Sequence, residues 1–168
     1  MKTIELKLYK FEELTEEMQE KAMEKYWDFN VDYDWWDCTY MDAENVGLKI
    51  SGFDIDRGSY CNIDFIEDAE YTANEIIEEH GPDCETYRDS ENFLKEFEVL
   101  NDKFNDEFLD DYEVDDEIEN LKDEYLHSLS ENYRIMLQKE YEYLTSEDAI
   151  RESLIINDYD FTENGEIY

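Results

Sequence analysis

One proline and five glycines are all that 168 residues contain of the two strongest chain breakers. Linkers and low-complexity tails are built from those residues and serine, so no flexible joint is visible and a single domain, 1–168, is the expected count. Within it, 1–87 reads as a sheet-plus-helix part and 88–168 as a mainly helical part closed by a C-terminal hairpin. Cysteine is scarce as well. Cys38, Cys61 and Cys84 are too few and too evenly spread for a disulfide framework, and none forms a Cys-x-x-Cys pair, a pattern that implies a reduced, intracellular protein. No apolar run approaches the roughly eighteen residues of a membrane span, and MKTIELKLYKFEEL lacks the apolar core of a signal peptide. An acidic surface is also repelled by anionic lipid. A cytoplasmic protein without a membrane partner is expected.

Basic residues are the most telling scarcity. Fourteen Lys or Arg stand against fifty Asp or Glu, a formal net charge of −36 at pH 7. Such a surplus repels itself and lowers stability, unless something outside the fold makes use of the charge. High charge and a mean hydropathy of −0.85 lean toward disorder. Fourteen Tyr, nine Phe and three Trp oppose it, because disordered chains rarely carry so many aromatics. The chain is expected to fold.

Residues 3–9, TIELKLY, alternate with Ile4, Leu6 and Leu8 on one side and predict a strand. Thr15 before Glu16 and Glu17 is an N-cap pattern, and Met18, Ala22, Tyr26 and Phe29 extend a helix over roughly 15–29. A second helix is predicted from Asp32, with Trp36, Tyr40, Ala43 and Gly47 along one stripe. LKISGFDID at 48–56 and YCNIDFI at 60–66 form a hairpin across Arg57-Gly58-Ser59, expected to extend the sheet begun by 3–9. Asp68 caps a helix ended by Gly81-Pro82.

From about 89 the period is that of long helices. Phe93, Phe97, Leu100 and Phe104 make one stripe, and Ile118, Leu121, Tyr125, Leu129, Tyr133 and Met136 another. Between them, nine of the sixteen positions 105–120 are Asp or Glu and none is basic, which fits either a loop or the first turns of the next helix. Thr145 and Asp148 begin a short helix, and Asn164-Gly165 suits a type I′ turn. The fold class is α+β: a small antiparallel sheet packed by helices, with a long-helix C-terminal half.

Catalytic and metal signatures are sparse. His80 and His127 lack a second histidine at ligand spacing and read as cap or surface residues. No glycine-rich phosphate loop exists, and so acidic a protein repels nucleotides and nucleic acid. Asp28-Phe29-Asn30-Val31-Asp32 has calcium-type spacing but Tyr33 where the loop needs glycine; Asp54, Asp56 and Gly58 lead to Phe65 where a bidentate glutamate is required. No enzyme, cofactor or specific metal site is expected. In YDWWD, Trp35 and Trp36 are about 100° apart on a helix, so one core cannot easily bury both. Trp35 either covers a neighbouring element or anchors an interface, with Asp34 and Asp37 beside it.

Charge density decides what the surplus can imitate. Duplex DNA carries one charge per ~1.7 Å of axis, or about one per 110 Å² at a radius near 10 Å. A compact protein of 20.4 kDa exposes about 8,800 Å² by area scaling, so −36 spreads to about one charge per 245 Å². Only segregation matches the duplex. The basic residues favour it: Lys2, Lys7, Lys10, Lys21 and Lys25 crowd the start, while 26–48, 58–87, 104–121 and 152–168 have no Lys or Arg.

The segments ELTEE, VDYDWWD, GLKISGFDIDRGSY, HGPDCETY and EYEYLTSEDAI with DYDFTENGEIY resemble those of small acidic proteins of unassigned role encoded by bacteriophages and mobile elements. In charge and size the chain is also similar to phage DNA-mimic inhibitors, the antirestriction and anti-CRISPR proteins. That resemblance implies a viral inhibitor in the host cytoplasm. Its partner is a basic nucleic-acid-binding protein, a nuclease or CRISPR effector, and it makes no direct contact with nucleic acid or membrane. The expected partner-binding residues are Asp106, Glu107, Asp110, Asp111, Glu113, Asp115, Asp116, Glu117 and Glu119, with Asp34, Trp35 and Asp37. A homodimer is compatible with this reading. The alternative is an antitoxin-like or chaperone-like acidic module for one basic partner, without mimicry.

Neighbouring carboxylates raise each other's folded-state pKa above the unfolded value, so the folded form gains protons as pH falls, and mild acidification below pH 7 is expected to stabilise it. Salt screens the same repulsion. Going from about 0.05 M to about 0.5 M salt should raise the melting temperature by several degrees, read by circular dichroism; a fall would contradict it.

Overall fold

The computed structural model describes residues 6–104 and 111–168. After a 3₁₀ turn at Phe11–Glu13 come α1 (Glu16–Lys25), α2 (Asp37–Asn45), β1 (Leu48–Asp54), β2 (Tyr60–Phe65), α3 (Ala69–Glu79), α4 (Glu85–Phe104), α5 (Asp111–Leu144) and α6 (Glu147–Ile156). This is an α+β fold with a small antiparallel sheet and a long C-terminal helix. No helix among the described residues is long and apolar enough to cross a membrane. Contacts divide the chain into two units: the described residues up to Trp35 with Lys139–Tyr168, and Trp36–Gln138.

The first unit is built on Phe11, Leu14, Ala22, Met23, Ile150, Leu154 and Phe161, all buried. Phe11 meets Phe161 edge-on at 5.8 Å. The N-terminal segment does not extend the β1–β2 sheet. Its described part pairs instead with the C-terminal segment, Tyr9 and Phe161 exchanging N–H···O bonds of 2.9 and 2.8 Å, while Leu6 and Leu8 are exposed.

Helix α1 stops four residues short of the predicted end. Tight i→i+3 turns follow, Phe29 N–H to Tyr26 O and Val31 N–H to Asp28 O, and they carry Asn30 inward. The buried Asn30 amide donates to Leu144 O at 3.0 Å, satisfying a carbonyl at the end of α5 that has no partner within its own helix. The cap of α6 is Ser146 rather than Thr145: Ser146 Oγ accepts from Ala149 N–H, and the Thr145 hydroxyl is engaged by Tyr141 O.

The predicted two-residue type I′ turn is replaced by a three-residue loop. Thr162 N–H bonds Glu166 O and Gly165 N–H bonds Thr162 O, with positive φ at Gly165 (+77°) and not at Asn164.

In the second unit β1 and β2 pair antiparallel, Leu48 opposite Phe65 and Asp54 opposite Tyr60, with a bulge between Ile50 and Gly52. Alternation puts Leu48, Ile50, Cys61 and Ile63 inside and Lys49, Ser51, Asn62 and Asp64 outside. Asp68 caps α3 as predicted, its carboxylate accepting from Tyr71 N–H at 2.8 Å. The N-cap of α2 is Trp36, four residues beyond the expected cap Asp32, so Trp35 and Trp36 precede the helix rather than sharing it. Helix α4 brings Phe93 to stack on Tyr125 of α5, ring centres 4.4 Å apart. The α5 stripe is Tyr125, Leu129, Tyr133 and Leu137. Met136 lies outside it, 37% exposed, because four-residue steps from Tyr133 reach Leu137.

Gly165 closes the first unit. A Cβ there would lie 2.9 Å from the Met18 carbonyl oxygen, on a backbone that L side chains rarely adopt. Gly165→Ala should cost about 2 kcal/mol or more in urea denaturation, from the left-handed φ and the clash together.

Candidate acidic interaction surface

Helix α5 opens inside the most acidic stretch of the chain, which settles residues 111–120 as helix rather than loop. Asp106, Glu107 and Asp110 lie outside the described residues, and Asp111 and Glu113 occupy the first turn of α5. Asp115, Asp116, Glu117 and Glu119 follow on the same helix and are exposed. Six carboxylates therefore stand on the nine positions 111–119. At ~1.5 Å of rise per residue that is one per about 2.2 Å of axis, close to the ~1.7 Å of duplex DNA. Glu119 is partly neutralised by Lys122, 2.8 Å away.

Asp34, Trp35 and Asp37 are elsewhere. Asp34 and Trp35 belong to the first unit, Asp37 opens α2 in the second, and both aspartates are exposed. Trp35 is half-buried, its ring 5.5 Å from Tyr141, and so covers a neighbouring element. Trp36, also half-buried, meets Phe53 edge-on at 5.6 Å.

The basic residues clarify how the charge is distributed. Lys10 bonds Asp160 at 2.9 Å and Asp158 at 3.1 Å, Lys21 bonds Glu17 at 2.8 Å, and Lys25 bonds Glu166 at 2.6 Å, all within the first unit. Three of the five crowded lysines, Lys10, Lys21 and Lys25, are thus spent on local pairs. Trp36–Gln138 holds 31 acidic and 7 basic residues, a net −24, and the remainder holds 19 and 7, a net −12.

One feature of the second unit was not anticipated. An open groove of about 520 Å³ lies between the hairpin and α5, lined by Ser51, Asn62 and Asp64 on one side and Asp123, His127 and Ser130 on the other. Asp116, Asp123 and His127 share a helix face at steps of seven and four, so the groove lies on the Asp116 face of α5. The period-two pattern of β2 carried the signal, since it sends Asn62 and Asp64 outward. That they meet α5 is a tertiary fact. Ser130 Oγ donates to Cys61 O and anchors the helix to β2.

A buried polar cluster lies deeper in the same unit. His80 Nδ1 is 2.8 Å from Thr86 Oγ1, His80 Nε2 is 3.5 Å from Asp42 Oδ1, and Tyr133 donates its hydroxyl to Asp42 Oδ2 at 2.9 Å. Asp, His and Thr invite comparison with a nucleophilic relay. Thr86 is only 4% exposed and its hydroxyl is engaged by the imidazole, so the cluster ties α2, α3, α4 and α5 together. The His80 imidazole, and after it the Tyr133 hydroxyl, hold the Asp42 carboxyl below the usual carboxylate range against the cost of its burial. Of the two, Tyr133 is the firmer partner, because 3.5 Å exceeds an ordinary hydrogen bond and His80 Nε2 is buried without one. Burial pushes the Tyr133 and Tyr125 phenols up, and the Cys61 thiol up to about 11, which leaves Cys61 an inert core thiol.

Among the described residues no three His, Cys, Asp or Glu side chains gather as a metal site. Comparison with known proteins returned no matching family model, curated protein or solved structure.

Asp42 works against the acid stabilisation expected from repulsion, as do Glu17, Glu131 and Glu166, which Lys21, Arg134 and Lys25 hold below the usual range. A depressed folded pKa contributes stability that is complete above the unfolded value, ~3.9 for Asp, and is lost as pH falls through the folded one. Asp42→Asn should therefore cost about 1 kcal/mol at pH 7, discounted for a side chain 40% exposed, with the deficit shrinking below about pH 4 in paired urea melts.

Proposed function

We propose that this chain is a non-enzymatic, phage-type inhibitor that occupies the nucleic-acid site of a basic host defence protein, a CRISPR effector or restriction enzyme, through its acidic surface. The observation that carries this reading is the row of carboxylates on the first turns of α5, whose charge per unit length is near that of a duplex. Further along, the helix that carries these acids is tied to α4 by Ser90–Tyr125 (2.6 Å) and to α2 by Tyr133–Asp42. Pairing of Lys10, Lys21 and Lys25 within the first unit supports it too, because those three cations are held by Asp158, Asp160, Glu17 and Glu166. Association driven by such a field is fast and salt-sensitive.

A second reading, an acidic module for one basic partner without mimicry, is favoured by the average over the whole chain. Thirty-six net charges on 11,722 Å² amount to about one per 330 Å², a third of the duplex density. The row on α5 is also single, whereas a duplex presents two strands.

Competition separates the readings. A labelled duplex bound to a basic nuclease or CRISPR effector should be displaced by the protein at about 0.05 M salt and much less at about 0.3 M. Asp115→Asn combined with Asp116→Asn should weaken displacement about 3- to 10-fold at the lower salt. A complex that forms while the duplex stays bound would replace the first reading with the second.

A further inference from the structure

A groove on the first unit combines carboxylates with an exposed indole. On the first unit Glu20, Met23, Glu24 and Trp27 recur at the i, i+3, i+4, i+7 spacing of one helix face, and Glu147, Ile150 and Arg151 do the same on α6. With Thr145 they line a groove of about 360 Å³. Met23 and Ile150 are buried and make its floor. Trp27 lies just past the end of α1 and is 50% exposed, while Glu20, Glu24 and Glu147 are exposed around it. The only cation of the lining is already engaged: the Arg151 guanidinium donates to Gln19 Oε1 at 3.0 Å and lies 5.7 Å from the Phe11 ring centre.

We propose that this groove receives an arginine side chain of a basic partner protein, its guanidinium stacked on Trp27 and hydrogen-bonded to the surrounding glutamates. The chemistry selects that occupant. An indole face attracts a cation, and the planar, weakly hydrated guanidinium stacks on it while offering paired N–H donors to carboxylates. The lysine ammonium is compact and strongly hydrated, and gains less from the ring. An aliphatic side chain would cover the glutamates without pairing them. A phosphate is repelled by three carboxylates. The inference rests on the reading that the partner is basic, and adds an aromatic contact by which one basic surface is told from another.

The test titrates hexa-arginine and hexa-lysine peptides into the full chain at about 0.05 M salt, following the indole N–H signals by NMR and affinity by calorimetry. The Trp27 signal, identified by its loss in Trp27→Phe, should shift saturably. Hexa-arginine should bind about 3- to 5-fold tighter than hexa-lysine. That preference should vanish in Trp27→Ala and largely survive in Trp27→Phe. Glu24→Gln with Glu147→Gln, two exposed positions, should weaken hexa-arginine at least about 3-fold more than Glu70→Gln with Glu78→Gln, an exposed pair on α3 outside the lining. Equal preference in wild type and Trp27→Ala, or equal loss in the two glutamine pairs, overturns the groove while leaving an acidic protein that binds basic partners. Failure of wild type to bind either peptide overturns both.

Discussion

Mutual repulsion among thirty-six uncompensated negative charges acts on every part of this chain, and the elements answer it in different ways. Local pairing is one answer in both units: Lys10, Lys21 and Lys25 each hold a carboxylate within 3 Å in the first, and Arg88, Lys95, Lys122 and Arg134 hold Glu85, Glu91, Glu119 and Glu131 in the second. The second unit adds a core that binds helices by polar as well as apolar contacts. Tyr125 stacks on Phe93 and bonds Ser90, Tyr133 reaches Asp42, and Asn132 bonds Asp89. Buried hydroxyls with good partners add ~1 kcal/mol each, and they fix which face of α5 turns inward and so which acids turn out.

On the proposed reading the two parts of α5 serve different ends. Its middle, from Tyr125 to Leu137, is the buried spine of the second unit, and its beginning carries the densest charge in the chain. Rigid support on one part of a helix presents the charges of another part at a set spacing, which a mobile acidic tail cannot do. The open groove beside Asp123 and His127 extends that surface toward the hairpin. The Trp27 groove is chemically different, with an exposed indole among its glutamates.

Much of the helical framework was legible from period and caps. Asp68 before Ala69 is a local signal, and its carboxylate makes the bond the sequence predicts. The hairpin at 48–65 was legible for the same reason, alternation and a glycine-containing connection being properties of neighbours in sequence. The departures share one cause, long-range partners outweighing local preference. Tyr9 pairs with Phe161 rather than with β1. Asn30 ends a helical run because a carbonyl at Leu144 needs a donor. Met136 gives way to Leu137 because the Tyr133 face sets the register of the spine. Of the candidate site, the α5 row at Asp115, Asp116 and Glu117 was readable from charge alone. The Asp64–Asp123 groove was not, since its two sides are about sixty residues apart in sequence.

The sequence by itself determined that the protein is strongly acidic, α+β, rich in aromatics and most negative just before and into α5, because composition and period are local quantities. Only the tertiary structure decided which lysines are consumed by pairs, which tryptophan packs on a tyrosine and which stands half in water, and which acids share a face with a groove. Those outcomes depend on distances between residues far apart in the chain, and a Coulomb or stacking interaction has no magnitude until such distances are known.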